Sequence, residues 1–167
     1  MKATKLLYNG APDEVITEIS EDEFFITSEH YVKYRKFIKD FNGYPGNDIE
    51  VYHRLGGLPA VEYSDGSKYY YEYGDYHREN DLPAIDTPSC KEWLLRSQHY
   101  IRPNGGPGFI STAEEIYYNN DGRISRLDGP AIIYYITGDE KFYINGKEID
   151  VHSTEEFLKY LNHKLLS

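Results

Sequence analysis

Two dipeptides, His53-Arg54 and His77-Arg78, carry side chains suited to gripping an anion. A guanidinium offers a planar fork to phosphate or carboxylate, and an imidazole beside it adds a donor that charges near neutral pH. Arg126 stands at a comparable place later in the chain. The same repetition has a scaffold reading. A residue that recurs in every unit of an array is first a structural part, and Arg can bridge to the acids or carbonyls of a neighbouring turn. Both readings stay open on the sequence.

The second group is aromatic: the chain holds 18 tyrosines. The run Tyr69-Tyr70-Tyr71 must point its rings to both faces of a strand, so some stay exposed unless something covers both faces. With Tyr73, Tyr76, Tyr117, Tyr118, Tyr134, Tyr135 and Tyr143 these rings would line a concave face that receives a partner, since exposed aromatics are frequent interface anchors. Alternatively, a thin sheet packs wide aromatics on one face and leaves the hydroxyls of the other in water.

Catalysis finds little footing. There is no HExxH, GxSxG, Walker-type loop or CxxC. Neither helix nor Lys-Ser/Thr follows the glycine-rich stretch 103–108, and Cys90 and His99 lack a third orienting group. The expectation is a non-enzymatic chain without metal or cofactor. A single cysteine excludes an internal disulfide and suits a reducing compartment, so a cytoplasmic location is expected. No stretch approaches the roughly 18 apolar residues of a membrane span, and no export signal is visible. The net charge of −10 opposes nucleic-acid backbones and anionic lipid. Asp13, Glu14, Glu18, Glu21, Asp22, Glu23 and Glu29 accumulate in a stretch without Lys or Arg, as a solvated face or an acidic docking surface.

The elements that must position these residues come from a repeat. Residues 52–61 return as residues 76–85 with a shift of 24 at every position. A third copy places Arg102 five residues before Pro107, and a fourth reads Arg126-Leu127-Asp128-Gly129-Pro130-Ala131. Pro59, Pro83, Pro107 and Pro130 mark the period. Each unit reads as a hairpin. In the first, Val61 and Tyr63 alternate with polar residues, Asp65-Gly66 turns, and Tyr69 to Tyr73 returns. In the second, Thr87-Pro88-Ser89-Cys90 turns and Trp93-Leu94-Leu95 returns. In the fourth, Ile132 to Ile136 and Phe142 to Ile144 flank Thr137-Gly138-Asp139, and Asn145-Gly146 follows.

The pattern His-Arg-x-x-Gly-Pro-Ala followed by Asp-Gly-x-x-x-Tyr-Tyr-x-x-Gly resembles the MORN-like repeats of bacteriophage and giant-virus proteins. The resemblance covers roughly residues 51–149. It implies a mainly β fold, an elongated single-layer antiparallel sheet of tandem hairpins, with a role in protein association and no catalytic residues to transfer.

The ends are read as caps. Ser153-Thr154-Glu155-Glu156 is a capping box. A capping helix follows within 150–167, its stripe formed by Phe157, Leu158, Leu161 and Leu165. Within a capping region over 1–50, Tyr31, Tyr34, Phe37, Ile38 and Phe41 predict a second helix over about 29–41, ending at Asn42-Gly43. Residues 1–27 read as short strands and loops.

The expected function is binding: a phage accessory or anti-defence factor that inhibits a host protein, with the viral setting implied by the resemblance. Two alternatives accompany it. One is a sponge that sequesters a small nucleotide signal on stacked tyrosines and His-Arg pairs. The other is a structural or assembly component that self-associates through hairpin edges.

Overall fold

A computed structural model describes residues 15–19, 23–38 and 49–165 of the protein. In chain order these form β1 (Val15–Glu18), β2 (Glu23–Thr27), β3 (Tyr31–Ile38), β4 (Ile49–Tyr52), β5 (Val61–Tyr63), β6 (Lys68–Tyr69), β7 (Tyr71–Glu72) and β8 (Asp75–Tyr76). There follow β9 (Ile85–Asp86), β10 (Cys90–Glu92), β11 (Phe109–Ser111), β12 (Glu114–Ile116), β13 (Ile132–Tyr134), β14 (Glu140–Ile144), β15 (Lys147–Ile149) and the helix α1 (Thr154–Leu165). The pairing is antiparallel throughout. Thirteen strands make one open sheet in the order β1-β2-β3-β5-β6-β9-β10-β11-β12-β13-β14-β15, with β4 also on β3, while β7 and β8 pair separately.

Register explains the alternation in sequence. Antiparallel partners share a face, and Val61, Tyr69, Ile85, Glu92, Phe109, Ile116 and Ile132 are successive partners across the sheet. Their chain neighbours Glu62, Lys68, Asp86 and Lys91 are partners on the opposite face, alternating in charge, and Lys91 Nζ lies 3.0 Å from Asp86. One face therefore carries an apolar and aromatic row interrupted by Glu92, and across β5, β6, β9 and β10 the other carries a ladder of opposite charges.

The helix expected over about 29–41 is not formed: residues 31–38 are the strand β3, while 39–41 lie outside the described residues. Apolar residues at 31, 34, 37 and 38 fit a helical stripe, but Tyr, Val and Phe also suit a pleated surface. The sheet decides. One edge of β3 pairs with β2, Phe25 opposite Tyr34, and the other pairs with both β5 and β4. The second unit also differs from expectation. Its return strand is Cys90–Glu92, and Trp93 follows it. Thr87 Oγ1 accepts from the Cys90 amide at 3.0 Å, closing a turn tight enough to start the return strand three residues early.

The interior is organised around a column of aromatic residues. The amides of Tyr34, Tyr70, Trp93 and Tyr117 donate to the carbonyls of Ala60, Ala84, Gly108 and Ala131. These are the residues just after the period-marking prolines, and the three alanines are fully buried. Phe142 continues the column, because the Ala131 amide donates to the carbonyl just before it. At the C-terminal end α1 lays Phe157 on Phe142 with ring centroids 5.1 Å apart, beside Ile149. The capping box closes as Ser153 Oγ accepts from the Glu156 amide, while Glu156 Oε2 takes the amide of His152. Tyr160 and Leu161 complete the buried stripe, and Leu158 is exposed rather than part of it.

Candidate functional site

The four loops that run from each arginine to its proline are built alike. Arg54, Arg78, Arg102 and Arg126 each donate from Nη1 to the carbonyl of the proline ahead, Pro59, Pro83, Pro107 and Pro130, at 3.0, 3.1, 3.0 and 3.4 Å. Each guanidinium also lies over one ring of the aromatic column, Tyr34, Tyr70, Trp93 or Tyr117, 3.6 to 3.9 Å from its centroid. A planar, weakly hydrated cation suits such a stack. Arg54, Arg78 and Arg126 are thus tied into the scaffold, whatever else they contact.

The histidines serve the turns. Three hairpin turns have positive φ at both central residues, Tyr73-Gly74, Arg96-Ser97 and Asn145-Gly146. A side chain from the preceding arginine loop accepts the first amide of each: His53 Nδ1 from Tyr73 at 3.1 Å, His77 Nδ1 from Arg96 at 3.3 Å, and Ser125 Oγ from Asn145 at 3.1 Å. That positive-φ geometry leaves the amide without a ladder partner, which the imidazole or hydroxyl supplies. His53 is buried, and His77 Nε2 sits 3.4 Å from Glu72.

The tyrosines divide. Tyr70 is in the core, beneath Arg78. Tyr69 and Tyr71 are half-buried in a cluster in which Tyr71 stacks on Tyr76 at 4.2 Å. Burial, then the hydrogen bond and repulsion from Tyr76, raise the Tyr71 phenol well above its ordinary value. Tyr73 is exposed. Tyr118 stacks on His99 at 3.7 Å and is pushed up to about 12 by burial and by Glu92 and Glu114. The hydroxyls of Tyr117 and Tyr135 both donate to the carboxylate of Glu115, and Tyr134 lies opposite Glu114.

What the structure brings together at the surface is a row of apolar side chains. Leu55, Leu58, Leu82, Ile101 and Leu127 are all exposed, on or beside successive arginine–proline loops. Grooves separate the loops. One of about 390 Å³ lies between the first and second, lined by Leu55, Leu58, Arg78 and Leu82. One of about 470 Å³ lies between the third and fourth, lined by Ile101, Arg126 and Leu127. Between the second and third, Asp81 bridges to Arg102 at 2.8 and 3.1 Å. No protein-family model, curated protein or solved structure matches the chain. Leu55, Leu58, Leu82 and Leu127 were visible in sequence as apolar residues inside Gly-, Asn- or Asp-containing turns, where polar residues are the rule.

Among the described residues no group of His, Cys, Asp and Glu is arranged to hold a metal ion, and no helix is long and apolar enough to cross a membrane.

Proposed function

We propose that the chain is a non-catalytic binding protein that presents the edge formed by its arginine–proline loops to a partner protein. Underlying this reading is an elongated, single-layer stack of MORN-like hairpins with caps at both ends. The viral setting, a phage factor that occupies and blocks a host defence protein in the host cytoplasm, rests on the resemblance alone.

The observation that carries the reading is the row of exposed leucines and isoleucine on successive loops. Scattered exposed apolar residues need no explanation, but sets that border grooves, as Leu55, Leu58 and Leu82 border one and Ile101 and Leu127 another, are the usual surface signature of an interaction site. The arginine stacks hold each loop against its hairpin, so the row is rigid before a partner arrives and little ordering entropy opposes binding.

The test is native mass spectrometry of the tagged chain from a bacterial lysate, beside the triple variant Leu55→Ser, Leu82→Ser and Leu127→Ser. A stoichiometric protein lost from the variant, with circular dichroism and Tm unchanged, is the expected result. A partner held equally by the variant would overturn the loop-edge reading.

A further inference from the structure

The four repeat arginines differ in one respect. Arg54 has Glu62 at 3.2 Å, Arg102 has Asp81 on both Nε and Nη2, and Arg126 has Asp128 at 2.6 Å. Arg78 has no carboxylate partner among the described residues, and its Nε is buried with no acceptor. We infer that the Nη2 end of Arg78, the part of the guanidinium that neither Pro83 nor burial takes up, is a carboxylate-binding site in the groove, filled by an acidic side chain of the partner where Asp81 serves Arg102.

The comparison is internal to the molecule. Asn80 and Asp81 stand 24 residues after Gly56 and Gly57, and all four backbones are left-handed, with φ of 61°, 56°, 78° and 69°. The two loops therefore turn alike at these positions, but the first carries no side chain where the second carries the acid. A Cβ added at Gly57 would meet nothing within 4 Å. The groove of about 390 Å³ between the loops is lined by both Gly57 and Arg78. A guanidinium with no carboxylate partner keeps unused donors and an uncompensated charge, and a carboxylate is the acceptor that suits it best.

The remaining lining narrows the ligand. Leu55, Leu58 and Leu82 border the groove and suit an apolar residue next to the acid. Glu72 and Glu79 also line it, each beside His77, and their charge opposes any anion but opposes a doubly charged phosphate more than a single carboxylate. The identity of the ligand as a peptide rests on the binding function proposed above, while the site itself rests on the geometry of Arg78.

The test follows the Arg78 Nε–Hε resonance by NMR during titration with the blocked tripeptide acetyl-Leu-Glu-Leu-amide. A saturable shift is expected, absent with the Gln analogue. Gly57→Asp places an internal acid where Asp81 stands in the next loop. It leaves Arg78 and the core untouched, and should abolish the shift and raise Tm above that of Gly57→Asn, which should keep the shift. No saturable shift with the Glu peptide or with phenylacetate, or a shift that survives in Gly57→Asp, would overturn the site. Inorganic phosphate outcompeting both carboxylates would overturn the ligand class. Phenylacetate binding without peptide binding would support the site but remove its link to a protein partner. Conversely, partner capture through the leucine row that is unchanged in Gly57→Asp would leave the proposed function standing and sink the peptide assignment.

Discussion

At the scale of single residues, the molecule depends on what lies over each ring of its aromatic column. Arg102 is nearly buried between Trp93 and Asp81, so its charge has exchanged water for one carboxylate, one carbonyl and one indole face. Removing one member of such a pair leaves the other charge buried and uncompensated, which typically costs ~3–5 kcal/mol. Asp81→Asn keeps the left-handed backbone that Asn tolerates and should destabilise by about 3 kcal/mol in urea melts. Trp93 is the only tryptophan, so its emission should shift in step. Unchanged emission and stability would show that the pair contributes nothing. Gly108 stands where the other units have alanine, and the reason is local: an added Cβ would lie 2.8 Å from Tyr118 Cδ2, whose ring is pinned against His99. Gly108→Ala should therefore cost ~1–3 kcal/mol as an overpacking strain, read from the same melts. A variant as stable as the parent would mean the Tyr118 ring is free to move aside.

At the scale of elements, α1 is the substitute for a fifth arginine loop. Four rings of the column are covered by guanidinium groups, and the last, Phe142, is covered by Phe157. Both phenylalanines are fully buried, so Phe157→Ala opens a cavity at the end of the sheet and should destabilise the chain by about 3–5 kcal/mol. Ser153→Ala removes one capping hydrogen bond and should cost about 1 kcal/mol, with helix content in circular dichroism falling before the sheet signal. Equal, small losses for both variants would show that α1 is an ornament of the last hairpin rather than its cover.

For the whole molecule, the concentration of tyrosine makes stability sensitive to alkali. Burial raises the phenols of Tyr63, Tyr69, Tyr71, Tyr100, Tyr117, Tyr118, Tyr135 and Tyr143, and carboxylates such as Glu115 add to the shift at Tyr117 and Tyr135. A raised folded pKa means the fold prefers the neutral phenol. That contribution is fully present below the ordinary value of 10.0 and is lost as pH rises through about 12, where Tyr118 and Tyr135 titrate. Phenolate absorbance should therefore lag behind that of the unfolded chain above pH 10.0 and then rise together with loss of the sheet signal. Phenols that all titrate at the ordinary value with the sheet intact would refute the coupling.

The sequence alone determined the period, because arginine at 54, 78, 102 and 126 and the proline after each are local facts repeated along the chain. It determined most of the turns and the C-terminal helix for the same reason, since positive-φ residues and capping boxes act within a few positions. Tertiary structure decided the rest. Residues 31–38 became a strand because partners on both edges outweighed an ambiguous spacing. The His-Arg pairs took scaffold roles because their partners, Tyr73 for His53 and Tyr34 for Arg54, lie some twenty residues away along the chain and are brought close only by strand register. Whether Arg78 and Arg102 meet a carboxylate likewise depends on the loop stacked beside each: Asp81 meets Arg102, and Gly57 stands in the matching place before Arg78. Periodicity is carried by each unit singly, but the company a side chain keeps is set by how one unit lies on the next.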